Sequence, residues 1–155
     1  MYLYPVKYSE IVEKCADEYG VPSEIIYAVI HTESGFEASA TSRAGAKGLM
    51  QLMDDTNTWI AEVKGEEALS ERLYEPAVNI ERGTWLLAHL YRQFGTWREA
   101  FAAYNAGYGR VTNWLSDNAY SSDGKTLDEI PIKETREYVE RVCEAAEKYR
   151  ELYFE

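Results

Sequence analysis

Pro22-Ser23-Glu24-Ile25-Ile26-Tyr27-Ala28-Val29-Ile30-His31-Thr32-Glu33-Ser34-Gly35 is the stretch whose reading decides the fold. Ile25, Ile26, Val29 and Ile30 recur at the three- and four-residue spacing of one helix face, not at the alternation of a strand. Pro22 suits a first helical turn, and Gly35 follows the last turn as a stop. Glu33 falls four residues after Val29, three after Ile30 and seven after Ile26, so its carboxylate lies on the apolar stripe. A charge is costly there. Glu33 also sits in the last turn, where the negative end of the helix dipole disfavours ionisation. Both effects, desolvation chiefly, push its pKa up toward the value of about 6 that suits a general acid. The plainer alternative is a glutamate that edges into solvent, or pairs with Arg43 or Lys47 in the segment that follows.

The same helical period extends in both directions, and no long β-branched alternating run competes with it, so the fold class is all-α. Before Pro22, Ile11, Val12, Cys15, Ala16 and Tyr19 form a stripe that ends at Gly20. After Gly35, residues 34–47 are rich in Gly, Ala, Ser and Thr, which predicts an extended loop too long for a simple connector and therefore suspect as functional. Gly48 to Met53 reads as a short apolar helix. Asp54, Asp55 and Thr56 offer caps for another helix, which stops near Gly65. Pro76 opens the next, with a face of Asn79, Ile80, Gly83, Leu87, Leu90 and Phe94 that runs to Gly95. Thr96-Trp97-Arg98-Glu99 matches a capping box ahead of Phe101, Ala102 and Tyr104. Residues 116–125 read as a loop or flap. A last helix, about Glu134 to Tyr153, presents Tyr138, Val139, Val142, Cys143, Ala146 and Tyr149 along one side. There is no internal repeat or linker, so residues 1–155 are expected to form one domain.

Composition excludes several function classes. The chain of 155 residues is 46% hydrophobic and 28% charged, the balance of a folded domain. Its net charge of −11 repels phosphate backbones, and its Lys and Arg are interleaved with acids, so nucleic acid is not an expected partner. The run Ile25 to Ile30 is far short of the ~18 apolar residues of a membrane span. Met1-Tyr2-Leu3-Tyr4-Pro5 lacks the marks of a secretory leader, so either the protein stays inside the cell or the chain has been trimmed. Cys15 and Cys143 fit no metal cluster, and both fall on core-facing stripes, so buried thiols are the expectation, with a disulfide between the terminal helices as the alternative. No motif calls for a metal or a cofactor. His31 and His89 read as helix surface or packing residues.

Three segments in order resemble the successive motifs of the lytic transglycosylase (SLT-type) domain. They are Glu33-Ser34-Gly35-Phe36, then Ser42-Arg43-Ala44-Gly45-Ala46-Lys47-Gly48-Leu49-Met50-Gln51, then Ala103-Tyr104-Asn105-Ala106-Gly107. Asn79 with Gly83, and Glu134-Thr135-Arg136-Glu137-Tyr138-Val139, are similar to its two further signatures. The resemblance runs from about Ile11 to Val142. It departs from the family pattern at Ala38 and Asp54, where proline is common.

The resemblance implies a lysozyme-like helical domain with a cleft for the glycan strand of peptidoglycan, acting as a monomer. It makes Glu33 the catalytic acid. It places Ser42, Gly48, Met50, Gln51, Tyr104, Asn105, Glu134 and Tyr138 at the substrate. Ser42 and Gln51 would contact acetamido or glycosidic oxygens, Met50 would lie near the cleft floor, and Tyr138 would address Glu33 or the sugar. From the residues alone, plainer roles stay open: turn or cap for Ser42 and Gln51, core for Met50 and Tyr104, a favourable dipole charge for Glu134. Since peptidoglycan lies outside the cytoplasmic membrane, the resemblance implies an extracytoplasmic location, with an export signal or anchor upstream or removed. The competing readings are a goose-type lysozyme-like muramidase or chitin hydrolase, a glycan-binding module without turnover, and a helical protein-interaction domain.

Overall fold

The computed structural model describes residues 3–155; Met1 and Tyr2, part of the stretch read for leader features, lie outside the described residues. Seven α-helices carry the described fold: α1 (Ser9–Tyr19), α2 (Ser23–Ser34), α3 (Asp54–Lys64), α4 (Pro76–Phe94), α5 (Trp97–Ala106), α6 (Tyr108–Leu115) and α7 (Lys133–Tyr149). Among the described residues β structure is confined to isolated bridges, Thr41 with Lys47 and Lys47 with Leu52.

The deciding stretch turns out to be the central helix and not a surface one. Ile25 through Ile30 are all buried, Tyr27 and Ala28 included, which no single stripe explains. A helix apolar all round must be wrapped on every side. α2 packs chiefly against α7 and also against α1, while α4 holds α1 and α5. The last turn of α2 is therefore fixed by its neighbours, and Glu33 with it.

The segment 48–53 is not a helix. Lys47 and Leu52 exchange both backbone hydrogen bonds at 2.9 Å and enclose a tight turn. Gly48 (φ +78°) and Gln51 (φ +53°) are left-handed, a conformation a right-handed helix cannot contain. The short apolar run has two jobs that mimic helix spacing: Leu49 and Met50 plunge into the core at 0% exposure, and the turn around them is held by α4.

Other boundaries shift for local reasons. The cap ahead of α3 is Met53, with no side-chain bond; Asp54 and Asp55 instead occupy the first turn, where their charge complements the dipole. Asp54, at a position where the family pattern favours proline, ties back to Lys47 at 3.0 Å, an ionic link in place of a stiff ring. The capping box at Thr96 is half realised. Thr96 Oγ1 accepts from the Glu99 N–H at 3.4 Å, but the Glu99 carboxylate, instead of taking the Thr96 N–H, accepts the Thr96 hydroxyl with one oxygen and the Leu127 N–H at 2.9 Å with the other, tethering the 116–131 segment to α5. α6 was not evident in the sequence: its only buried residue is Val111, so it has no stripe to read. α7 ends at Tyr149 and continues as a π-turn over Arg150–Phe154.

Cys15 is buried, but Cys143 is exposed and both thiols are free, which corrects the expected pair of buried thiols. Among the described residues no helix is long and apolar enough to cross a membrane.

Candidate active site

Four elements meet at Glu33: the end of α2, the 48–51 turn, and the facing ends of α5 and α7. Ser34 begins the construction. Its hydroxyl donates to Leu49 O at 2.7 Å and to Ile30 O at 3.2 Å, so the last turn of α2 is pinned to the apolar turn. The turn is then latched to α4 by one buried side chain. Asn79 accepts from the Met50 N–H at 2.7 Å and donates to Lys47 O at 2.9 Å and Leu73 O at 2.8 Å. One helical turn on, Gly83 leaves room for Met50: a Cβ there would lie 2.5 Å from its sulfur. Asn79 and Gly83 thus form one receptor face, as their four-residue spacing dictates.

Tyr104 comes from the other side. Its hydroxyl donates to Met50 O at 2.7 Å. Asn105, next to it, accepts from Thr135 Oγ1 at 2.8 Å, which joins the end of α5 to the first turn of α7. Tyr138 lies one turn further along α7, and its hydroxyl is buried with no hydrogen-bond partner.

Glu33 is half-buried: protein surrounds the carboxyl, yet one side stays open. It makes no ion pair among the described residues, and Lys47, one of its two expected partners, is engaged with Asp54. Burial pushes its pKa up to about 7, and the charge of Glu134 adds to the rise. Opposing them, the Tyr138 hydroxyl and then the Arg141 charge favour the ionised form. The hydroxyl favours the carboxylate without completing a full hydrogen bond to it. Tyr104 and Tyr138 both have pKa values raised well above the phenol range, by burial first and then by Glu33, so both remain donors. The arrangement is a half-buried, protonatable carboxyl whose charge acts on two neutral phenols, Tyr104 and Tyr138.

Removing the Tyr138 hydroxyl tests this electrostatic picture. In Tyr138→Phe the Glu33 pKa moves further up, because its largest downward influence is gone. The fold loses little, about 0–1 kcal/mol, since an unpartnered buried hydroxyl contributes no bond. Carbon NMR titration of the Glu33 carboxyl, with thermal melts of parent and variant, reads both effects; an unmoved or lowered midpoint contradicts the assignment.

The remaining expected site residues divide. Gly48, Met50, Tyr104, Asn105 and Tyr138 belong to the framework just described. The Met50 side chain is wholly core, and it is Met53 that opens to solvent, at 40% exposure, beside the same turn. Gln51 spends its amide on Ala40 O at 3.1 Å and Gly48 O at 2.9 Å, bracing the loop from within. Ser42 is exposed, and its hydroxyl accepts the Ala46 N–H at 2.9 Å within its own turn. Glu134 is exposed at the start of α7 and reaches Glu33 by its charge. Two positioning residues escaped the reading of individual roles. Asn79 was visible only as part of a motif, and the sole signal for Ser34 was a small hydroxyl placed between an acid and a glycine.

Comparison with known proteins gives a consistent result. The soluble lytic murein transglycosylase of Escherichia coli K12 is 34% identical over 151 residues, covering 95% of this chain and 23% of that protein. The membrane-bound lytic murein transglycosylase C of Edwardsiella ictaluri is 30% identical, covering 94% of this chain and 47% of that protein. Among solved structures, lytic transglycosylase Slt of Pseudomonas aeruginosa, in a form inactivated by one glutamate-to-glutamine change, matches with a TM-score of 0.84 and 36% identity over 96% of this chain and 24% of that one. The Escherichia coli 70-kDa soluble lytic transglycosylase matches with a TM-score of 0.88 and 32% identity over 98% of this chain and 25% of that one. The chain therefore spans about a quarter of the length of the soluble relatives it matches. Their likeness covers the helices that build the Glu33 site, the family model of the transglycosylase SLT domain matches residues 10–127, and the chain belongs to that family.

Proposed function

We propose that the chain cleaves the glycan strand of peptidoglycan at the β-1,4 bond between N-acetylmuramic acid and N-acetylglucosamine, leaving a 1,6-anhydro ring on the muramic acid. The observation that carries this reading is Glu33 itself, a half-buried carboxyl at the end of α2 held by burial at a pKa of about 7. Relatives named as lytic murein transglycosylases support the substrate class. That one of them is inactivated by replacing a glutamate with glutamine supports a mechanism centred on a single acid.

In the first step protonated Glu33 gives its proton to the bridging oxygen as the C1–O bond breaks. Most glycosidases place a second carboxylate as nucleophile or base; substrate-assisted ones use the 2-acetamido oxygen of the sugar to stabilise C1. In the second step the Glu33 carboxylate takes the proton of the 6-hydroxyl as that oxygen bonds to C1. The acid is regenerated and water is not consumed. Tyr138, a neutral donor without a partner, is placed to support the carboxylate between the steps. Ser42, Gln51, Asn105 and Glu134 line the approach to the bond and contact the sugars. All of these groups come from one chain, which acts as a monomer, at a wall that lies outside the cytoplasmic membrane.

Product analysis tests the reading. Digested wall should yield muropeptides lighter by one water than the reducing-end products of hydrolysis. Reducing ends alone would favour the muramidase reading, for which Glu134 is the second acid whose charge reaches Glu33.

The pH dependence follows from the same carboxyl. The first step needs the proton on Glu33, so cleavage should fall as pH rises through about 7, approaching tenfold per unit above it. Rates on purified wall between pH 5 and 9 measure this. A profile that stays flat to pH 9 is incompatible with Glu33 as the donor.

A further inference from the structure

On α7, Glu134, Tyr138 and Arg141 stand four and three residues apart, so they share one side of the helix, with the buried phenol in the middle. Glu134 and Arg141 are both exposed, and they flank Tyr138 from positions about 10 Å apart along the helix axis. Since Tyr138 faces Glu33, the two charges stand at opposite ends of one edge of the acid site. Beyond burial and the Tyr138 hydroxyl, Arg141 lowers the Glu33 pKa and Glu134 raises it. Both charges thus reach the acid, and that of Arg141 reaches the Tyr138 phenol too.

Arg141 has no use within the fold. Among the described residues it makes neither an ion pair nor a hydrogen bond, whereas Arg72 is held by Glu75 at 2.9 Å, Arg98 by Glu99 at 3.1 Å and Arg150 by Glu147 at 2.5 Å. With a net charge of −11, most of the chain repels an anionic ligand. Such a ligand is favoured only where a cation is unpaired, and a guanidinium offers a carboxylate two parallel N–H donors. Two turns back, Glu134 repels the same group. Attraction at one end and repulsion at the other decide which way round a ligand lies.

The glycan strand has a matching asymmetry. N-acetylglucosamine is neutral, whereas each muramic acid carries an acidic substituent, either its free lactyl carboxylate or the carboxylates of a peptide built on it.

We propose that Arg141 is a specificity-determining residue, which takes a carboxylate of the muramic acid substituent and so seats that sugar, and not the neutral one, on its own side of Glu33. The proposal rests on the reading of Glu33 as a glycan-cleaving acid.

Calorimetric titration of Glu33→Gln protein at pH 5 tests it without turnover. The ligands are a peptide-free strand with free lactyl acids, a strand bearing peptides, and a neutral N-acetylglucosamine tetramer. Adding Arg141→Gln should weaken an acidic ligand by about three- to tenfold and the neutral one by less than about twofold. Arg141→Lys should recover part of the loss, because it keeps the charge without the planar fork. In 1 M salt, where the Debye length is about 3 Å, the difference should shrink. Loss on the peptide-free strand assigns the lactyl carboxylate, and loss on the peptide-bearing strand assigns a peptide carboxylate; either supports the proposal. An equal loss on the neutral tetramer, no loss on either acidic strand, or no binding of any of the three overturns it. Wall cleavage by Arg141→Gln protein with Glu33 intact is read separately at the same pH, where Glu33 holds its proton with or without Arg141. There KM should rise while kcat holds. Cleavage whose KM ignores Arg141 removes the proposal alone, whereas carboxylate-dependent binding with no cleavage by the parent removes the enzymatic reading and leaves the Arg141 contact.

Discussion

Glu33→Gln should lower wall cleavage by about 10²–10⁴-fold, the usual contribution of a positioned general acid, and should at the same time make the protein more stable at alkaline pH. The two effects have one cause. Burial raises the carboxyl to about 7 in the folded chain, against an ordinary value of 4.5. Below the ordinary value both folded and unfolded states hold the proton, and the group adds no pH dependence. Between there and about pH 7 the unfolded chain ionises first, so stability falls as pH rises, and above that window the folded state carries a disfavoured charge. Glutamine keeps the shape and removes the charge. Because the carboxyl is partly open to solvent, the gain should be modest, about 1–2 kcal/mol at pH 8 and close to zero at pH 4. Thermal melts at the two pH values, with cleavage assays on the same preparations, check the pair of outcomes. A variant that digests wall at the parent's rate identifies the wrong acid. A variant that is inactive but equally stable at pH 8 shows an acid that is needed yet ordinarily solvated.

That stability cost sits where the sequence is most legible. The position of Glu33 on an apolar stripe, one residue before Ser34-Gly35, already announces a carboxyl held against its preference, and the structure adds the second reason that α2 is enclosed on all sides. Two of the long helices were readable because burial imposes their period: α1 and α7 each present a buried stripe to the core, whereas α4, like α2, is buried nearly all round over residues 82–88. Where burial is slight the pattern fails. α6 buries Val111 alone and leaves no signature. Cys143 shares the spacing of buried neighbours on α7 but lies just past the edge of the covered face, so periodicity places it inside when it is exposed. The 48–53 segment misleads for the opposite reason, because two core side chains in a tight turn have the same local composition as one turn of helix. Only the glycine at its start and the asparagine 31 residues later, Gly48 and Asn79, record what it is. The site residues divide in the same way. Groups whose chemistry is intrinsic, Glu33 and the tyrosines, were visible, whereas the roles of Ser34 and Asn79 depend on carbonyls that only the folded backbone brings to them.

Those carbonyls lead to the second large effect. Gly48→Ala should destabilise the protein by about 3 kcal/mol or more, from two separable causes. A Cβ at φ +78° costs about 1 kcal/mol or somewhat more in backbone strain. It would also lie 2.3 Å from Asn79 Nδ2 and 2.9 Å from Asn79 Cγ, an overlap the latch relieves only by releasing its bonds to Lys47 O and Leu73 O. Gly20→Ala is the control for the first cause alone: it has φ +69° and nothing within 4 Å of the added atom, so its cost should stop near the strain. Asn79→Ala should itself cost about 3 kcal/mol, by leaving the Met50 N–H and two carbonyls without partners. The double variant separates the causes, because without the Asn79 side chain the added methyl has lost its principal obstacle. Its loss should fall short of the sum of the single losses by about 1–2 kcal/mol, the signature of two groups in contact. Urea unfolding of the four proteins measures the coupling. Strict additivity, or a Gly48→Ala cost no greater than that of Gly20→Ala, would mean that the turn is not held against α4 by Asn79. In that case the turn carrying Met50 O, and the Tyr104 hydroxyl bound to it, would have to be positioned beside Glu33 by the Ser34 contact alone.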